Sequence, residues 1–130
     1  MKVLQPPAWP RPKGYSNGVS ARGRMIFTAG VVGWHETETF VSDTLPGQFA
    51  QTLQNIIAIL AEDAAGPEHL VRMTCYVVDI DASRASRPEI GEAWKAIIGR
   101  HYPAMALVAV RALVEPEALV EIEAIAVVPE

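Results

Sequence analysis

Hydrophobic residues recur along this chain with two different periods, and each period predicts one kind of element. Between residues 45 and 63 the apolar side chains lie three or four positions apart, which places them on one face of a helix. They are Phe49, Leu53, Ile56, Ile57 and Leu60. The spacing predicts a helix over Leu45–Asp63, with Pro46 in its first turn and Gly66-Pro67 beyond its end.

A second helix of the same kind is predicted between residues 86 and 99. The segment Ser86–Glu89 has the residue types of a capping box, with Pro88 near the first turn. Helical spacing then connects the apolar residues Ile90, Trp94, Ile97 and Ile98. We expect this helix to end at about Gly99.

Five segments have the shorter period, or the continuous apolar character, of strands. They are Tyr15–Ala21, Arg24–Val32, Val71–Asp79, Met105–Leu113 and Leu119–Val128. The first two are predicted to form a hairpin through Arg22-Gly23, because glycine accepts the positive φ of a tight turn. Four prolines between residues 6 and 12 predict an extended lead-in over residues 1–12. The predicted order is ββαβαββ, in one α+β domain of residues 1–130.

The predicted sheet has more apolar surface than the chain itself can cover. Two helices cover one face of a mixed sheet, yet the strands at 71–79, 105–113 and 119–128 are apolar on both faces. A copy of the same sheet is the simplest cover for the second face. The pattern therefore predicts a homo-oligomer without fixing the number of subunits.

The composition argues against several classes of function. The net charge is −4, with 11 Lys and Arg against 15 Asp and Glu, so the chain lacks the basic face that nucleic-acid backbones require. We expect no membrane span, because no apolar run reaches 18 residues. The single Cys75 cannot form an internal disulfide, and we expect a cytoplasmic protein. No Cys pair or His cluster predicts a metal site, and no cofactor is expected.

Four local motifs carry a family resemblance over about Lys13 to Val128. They are K-G-Y-S-N-G at 13–18, F-T-A-G at 27–30, P-A at 103–104 and V-E-I-E-A-I-A at 120–126. Together they resemble the Rid family, also called YjgF-like or endoribonuclease L-PSP. The resemblance implies a chorismate-mutase-like fold of the bacillar type, assembled as a homotrimer with three small-molecule clefts between subunits.

The resemblance also implies a chemistry and a set of residues. Active members hydrolyse enamines or imines derived from amino acids, with an arginine holding the substrate carboxylate and a glutamate positioning water. The glutamate corresponds to Glu121, and the cleft tyrosine and glycine correspond to Tyr15 and Gly30. The arginine corresponds to Met105. Three further polar positions of the family are also apolar in this chain: Ala29, Ala106 and Leu107.

These replacements place the chain with the arginine-less members of the family. A substrate carboxylate without its arginine loses a charge-assisted pair that would offset its desolvation. We therefore expect poor activity on 2-aminoacrylate-type imines and a more apolar cleft. The expected function is a hydrolytic deaminase that releases ammonia from an enamine or imine metabolite, for example a larger conjugated enamine such as aminomuconate. The alternative is a non-catalytic trimer that binds a small molecule or a partner in the same clefts.

Several other residues have both a functional and a structural interpretation from the sequence. Trp34 could form an aromatic wall of the cleft, and His35 could exchange protons, yet both also fit a surface loop. Arg72 and Arg111 could replace the lost arginine or could pair with acids. His101 suits a helix C-terminus. Glu123 shares the face of Glu121, and Cys75 is interpreted as a small apolar side chain.

Overall fold

Helix α1 spans Leu45–Ala61 and carries the apolar face that the sequence predicts. The N–H of Gly47 donates to the Thr44 hydroxyl at 3.2 Å, which caps the first turn. The apolar stripe turns inward, and its residues Leu53, Ile56 and Leu60 are completely buried. The computed structural model describes residues 1–130, and it confirms this helix with a slightly earlier end.

The other elements follow in chain order. The strands are β1 (Lys2–Val3), β2 (Val19–Ser20), β3 (Arg24–Phe27), β4 (Val31–Val32), β5 (Leu70–Val77), β6 (Ala104–Ala109) and β7 (Val120–Val128). The helices after α1 are a single 3-10 turn (Pro67–His69), α2 (Ile80–Ala85) and α3 (Arg87–Ile97). None of the helices combines the length and the apolar character that crossing a bilayer requires.

The main sheet is mixed and five-stranded, which confirms the predicted α+β class. Its order is β3-β7-β5-β6, and β4 also pairs with β7. Strand β7 is antiparallel to its partners, whereas β5 and β6 are parallel and are joined through α2 and α3. The inner face of the sheet packs against α1 and α3. It includes Met73, Cys75 and Val77 from β5 and Val120, Ile122 and Ala124 from β7.

The predicted hairpin between residues 15–21 and 24–32 is wrong. Strand β2 pairs with β1 at the N-terminus, and β3 pairs with β7. The prolines begin only at Pro6, so the backbone of Lys2–Val3 keeps the N–H groups that a strand needs. The long apolar strand β7 offers β3 a better partner than the short, polar β2. The chain reversal at Gly23 therefore joins two separate sheets.

The segment between β5 and β6 contains two helices where the sequence predicted one. Asp79 caps the additional helix α2, because its carboxylate accepts a hydrogen bond from the N–H of Ala82 at 3.0 Å. Ser86 lies between α2 and α3 and makes no capping hydrogen bond with its side chain. The predicted capping box is therefore wrong. Ser86 already ends α2, so its backbone lacks the extended conformation of a capping residue.

The outer face of the sheet, turned away from the helices, is only partly apolar, which corrects the prediction of two apolar faces. Its centre carries Arg72, Thr74 and Tyr76 of β5. Its margin carries Met25 and Phe27 of β3, which are 57% and 63% exposed. Tyrosine and threonine are frequent in strands, so the pattern of β5 did not separate a buried face from a polar one.

Candidate functional site

A bulge between β3 and β4 brings Gly30 onto the side chain of Glu121. Both strands pair with β7, but three residues lie between Phe27 and Val31, where only two lie between their partners Ile125 and Ile122 on β7. The extra residue breaks the regular ladder at this point. A Cβ atom on Gly30 would overlap the Glu121 carboxylate, so only glycine permits this close approach.

The hydroxyl of Thr28 shapes the same bulge. It accepts a hydrogen bond from the N–H of Ala124 at 3.0 Å and donates one to the carbonyl of Ala29 at 2.8 Å. The Thr28 N–H also donates to the carbonyl of Ala124 at 2.9 Å. These bonds fix the turn that presents Gly30 to Glu121.

The two carboxylates of the V-E-I-E motif have different surroundings. Both lie on the outer face of β7, as their alternation predicts. The Tyr76 hydroxyl donates to Glu123 at 2.6 Å, and this hydrogen bond is the main reason why the pKa of Tyr76 is raised. Glu121 is half-buried, and its carboxylate accepts no hydrogen bond from the protein. Of the two, Glu121 has the carboxylate that is free to bind water or a ligand.

Trp34 lies two residues beyond Val32, which pairs with Glu121. The Asn55 side chain on α1 donates to the carbonyls of Val32 at 2.9 Å and Trp34 at 2.7 Å, and so fixes this segment. The indole packs against Phe40 at a ring distance of 5.7 Å. Trp34 is therefore near the Glu121 end of the sheet, although part of its surface is used within its own loop.

The other predicted site residues lie at the opposite edge of the sheet, around β6. Ser16 forms a bridge to Ala104, and its hydroxyl donates to the carbonyl of Tyr102 at 2.5 Å, which holds the neighbouring Tyr15 beside this edge. Met105 follows Ala104 on the helix side of the sheet, in register with Met73. Ala106 therefore faces the outer side.

The predicted site residues thus form two groups that are separate within one chain. Gly30, Trp34 and Glu121 lie at the β4–β7 edge, whereas Tyr15, Met105 and Ala106 lie at β6. Adjacent strands are about 4.8 Å apart, so three strand spacings place β4 and β6 about 14 Å from each other. A small ligand cannot span this distance. No single site within one chain therefore contains all six predicted residues.

Met105 lines a pocket of about 440 Å³ between the edge of the sheet and α3. Phe49, Cys75 and Trp94 form its buried wall. The sequence pattern predicts these residues in the core and does not predict the pocket. A signal was present in the helical spacing of Arg87, Gly91 and Lys95, which borders the apolar face of α3, but the open space beside it depends on how α3 packs.

The other candidate residues from the sequence, His101, Arg72 and Arg111, lie in three different parts of the structure. The imidazole Nε2 of His101 lies 2.6 Å from the carbonyl of Leu70, which ties the turn before β6 to β5. Arg72 is exposed on the outer face, beside a shallow pocket of about 280 Å³ that also contains Glu123. Arg111 is exposed in the turn after β6 and forms no ion pair. No cluster of three His, Cys, Asp or Glu side chains could hold a metal ion.

Cys75, in the wall of the pocket that Met105 lines, makes the free energy of unfolding depend on pH. Its thiol is unpaired and 1% exposed, and burial raises its pKa from 9.0 to about 12. Between pH 9 and pH 12 the thiol of the unfolded chain ionises, whereas the buried thiol of the folded chain stays protonated. The stabilisation from the raised pKa is therefore complete below pH 9 and is lost as the pH rises toward 12. We expect the Cys75 contribution to the free energy of unfolding to fall by about 1.4 kcal/mol per pH unit in that interval.

Denaturant unfolding of the unaltered chain and of Cys75→Ala, from pH 8 to pH 11, measures this contribution. Other groups also titrate there, so the difference between the two chains is the informative quantity. That difference should shrink above pH 9. Parallel profiles across the whole range would show that the thiol titrates normally.

The family model described as "Endoribonuclease L-PSP" matches residues 8–128. This match includes both groups of predicted site residues. No curated protein sequence matches the chain.

Solved structures give a consistent comparison. A protein of unknown function of the conserved Rid family from Yersinia pestis is 32% identical, with a TM-score of 0.86 and 98% of each chain covered. A member of the YjgF/YER057c/UK114 family from Mycobacterium tuberculosis is 34% identical, with a TM-score of 0.67 and coverage of 89% of this chain and 88% of that one. E. coli TdcF with bound serine is 27% identical, with a TM-score of 0.69 and coverage of 98% and 99%.

Proposed function

The chain belongs to the endoribonuclease L-PSP family, which includes the Rid proteins, and from this premise we propose that it hydrolyses an enamine or imine metabolite and releases ammonia. Membership in the family supports a small-molecule-binding or deaminase role. The observation that carries the more specific proposal is the placement of Glu121, half-buried, beside Gly30 and without a hydrogen bond from the protein.

The proposed site forms between copies of a homotrimer. Glu121, Gly30 and Trp34 of one copy meet Tyr15, Met105 and Ala106 of its neighbour. The separation of these two groups within one chain supports this arrangement, because each group alone lacks part of a reaction site. Exposed Met25 and Phe27 on the outer face supply apolar surface for the contact between copies.

In the proposed mechanism, Glu121 orients and deprotonates a water molecule. An enamine first takes up a proton from solvent on carbon and becomes an iminium ion. Water then adds to the iminium carbon while one of its protons passes to Glu121, which gives a carbinolamine. The protonated Glu121 returns this proton to nitrogen, the carbinolamine hydroxyl releases its proton to solvent as the C–N bond breaks, and ammonia leaves with a carbonyl product. No electrons are exchanged with a cofactor, and no metal is needed for these steps.

Tyr15 and backbone N–H groups near Gly30 and Ala106 polarise the substrate, while Met105 and Trp34 shape the cleft. The substrate is a larger conjugated enamine, because Met105 leaves no cation beside the imine for a small 2-amino acid carboxylate. The proposal includes a cytoplasmic setting, with which the unpaired Cys75 agrees.

Ammonia release across a panel of enamines tests the role of Glu121. Glu121→Gln keeps the size of the side chain but removes the base, and should lower the rate by about 10²–10⁴-fold. The panel includes 2-aminoacrylate, for which we expect a much lower rate than for a conjugated enamine. A rate on 2-aminoacrylate equal to that of arginine-bearing relatives would contradict the assignment of Met105.

Glu123→Gln is the matched control, because this carboxylate lies on the same strand face but is already bonded to Tyr76. It should keep most of the activity. Gly30→Ala is a second probe, since its methyl group would displace the Glu121 carboxylate without removing it. Full activity in Glu121→Gln would show that this residue is not the base.

The second candidate function is non-catalytic binding of a small molecule. Its supporting observation is the apolar character of Ala29, Met105, Ala106 and Leu107, which together remove four polar groups from the candidate site. Under this alternative, ligands bind with measurable affinity but no enamine in the panel releases ammonia faster than in buffer.

A further inference from the structure

The pocket beside Met105 has an apolar interior and a basic rim. Its inner wall is formed by the buried Phe49 and Trp94 and the half-buried Met105, which offer aromatic and thioether surface to a ligand. The exposed part of its lining includes Lys13, Arg87 and Lys95. Three of the chain's 11 Lys and Arg residues therefore lie around one pocket.

The charges of this rim are not neutralised by the protein. The ion pairs of the chain join Arg24 with Asp63, Glu68 with His69, and Asp81 with Arg84, so none includes a rim residue. No Asp or Glu is among the residues that line the pocket. In a chain of net charge −4, this local excess of positive charge favours an anionic ligand.

A glycine in the middle of α3 lines the pocket. Gly91 lies one helical turn from Arg87 and one from Lys95, so these residues share a face of the helix. A Cβ atom on Gly91 would meet nothing within 4 Å, which shows open space in front of the helix. An internal glycine weakens a helix relative to alanine. Here it also leaves the mouth of the pocket unobstructed.

We propose that this pocket binds an amphipathic carboxylate, with its apolar body against Phe49, Trp94 and Met105 and its carboxylate at the Lys13–Arg87–Lys95 rim. The ligand is a flat or extended acid whose charged group is separated from its inner end by an apolar spacer. This orientation of the ligand agrees with the apolar side chain of Met105, which contacts an apolar group at the position where a cationic side chain would bind a carboxylate.

The inference rests on the proposed function in one respect, since it identifies this acid with the substrate. The reacting amino-bearing carbon then lies at the inner, Met105 end, and the carboxylate is remote from it. The binding claim itself requires no turnover, so binding can be measured separately from catalysis.

The test uses trans-cinnamate, cinnamyl alcohol and cinnamylamine as probes, titrated into the full-length protein by calorimetry. The three probes share one flat phenylpropenyl body and differ in the polar head group and its charge. We expect cinnamate to bind at least 10-fold more tightly than the alcohol, and the amine to bind more weakly than either. Equal affinities for the acid and the alcohol, or no binding of cinnamate at millimolar concentration, would overturn the proposal.

Rim variants assign the charge preference to specific residues. Arg87→Gln should reduce the preference for cinnamate over the alcohol several-fold, and the triple variant Lys13→Gln, Arg87→Gln, Lys95→Gln should abolish it. Arg84→Gln is the matched control, because Arg84 is exposed on α2 and does not line the pocket. Preference retained in the triple variant would contradict the rim assignment.

Gly91→Leu tests the location of the site. The new side chain should fill the mouth and abolish the binding of all three probes, while the melting temperature stays the same or rises. Unchanged binding in this variant would place the ligand elsewhere.

Glu121→Gln separates the two proposals. This variant should bind cinnamate like the unaltered chain even if it cannot hydrolyse any enamine. If cinnamate shows its charge preference but Glu121→Gln remains fully active, only the proposed mechanism fails. If Glu121 is required for turnover but the acid and the alcohol bind equally, only the pocket proposal fails.

Discussion

Replacing Gln48 with leucine is expected to lower the free energy of unfolding by about 2–4 kcal/mol, since it leaves hydrogen-bonding groups without partners. The Gln48 side chain is 1% exposed on α1. Its amide donates to the carbonyls of Ser42 at 3.1 Å and Glu117 at 2.9 Å, and its oxygen accepts from the N–H of Leu119 at 2.7 Å. Leucine fills a similar volume but forms none of these bonds.

This loss is a large fraction of the total stability of a domain of this size, which is about 5–15 kcal/mol. It also acts on the candidate site, because Leu119 directly precedes β7 and lies two residues from Glu121. We therefore expect Gln48→Leu to lower the rate of enamine hydrolysis as well as the urea concentration at the midpoint of unfolding.

Urea unfolding followed by circular dichroism measures the stability change. Gln54→Leu is the matched control, because Gln54 is exposed on the same helix and forms no side-chain hydrogen bond. It should change stability by less than about 0.5 kcal/mol. Similar effects of the two substitutions would show that the buried amide does not fix the start of β7.

Replacing Phe27 with glutamate is expected to dissociate the proposed trimer into single chains. Phe27 lies on the outer face of β3, next to the exposed Met25, and we propose that this surface lies between copies. An unpaired carboxylate buried in that contact would cost several kcal/mol at every interface of the proposed trimer. The fold of each chain should persist, because the Phe27 side chain is 63% exposed within one chain.

Light scattering at low micromolar concentration measures this dissociation. The variant should have the 14.1 kDa mass of one chain, with an unchanged circular dichroism spectrum. Val114→Glu is the control, since Val114 is 92% exposed in the turn before β7 and lies outside the proposed contact. If Phe27→Glu and Val114→Glu had equal masses, the outer face of β3 would not be part of the interface.

The hydrophobic periods predicted the elements that carry the core. The helical face of α1 and the alternating residues of β5 and β7 appear as expected, because each pattern is local and its burial follows directly from it. The hairpin prediction failed because the pairing of strands depends on tertiary structure and not on local sequence alone. Nothing local in Arg24–Phe27 reveals that its partner is a strand about one hundred residues later.

The candidate site shows the same division between local and tertiary information. The V-E-I-E motif and Gly30 were identified from sequence, but the bulge that joins them depends on register against β7. The charged rim was missed because Lys13 and Arg87 are distant in sequence and meet only where α3 packs beside β6. Side-chain period also could not distinguish the polar outer residue Tyr76 from a core position.

We propose that each chain carries two half-sites, one around Glu121 and one around Met105, which become one site only where copies meet. Sedimentation equilibrium of the unaltered protein, over a concentration range that extends down to low micromolar, tests this proposal. We expect a single species of three times the 14.1 kDa chain mass. A stable species with the mass of one chain would leave Glu121 and Met105 permanently apart, and would contradict the proposal.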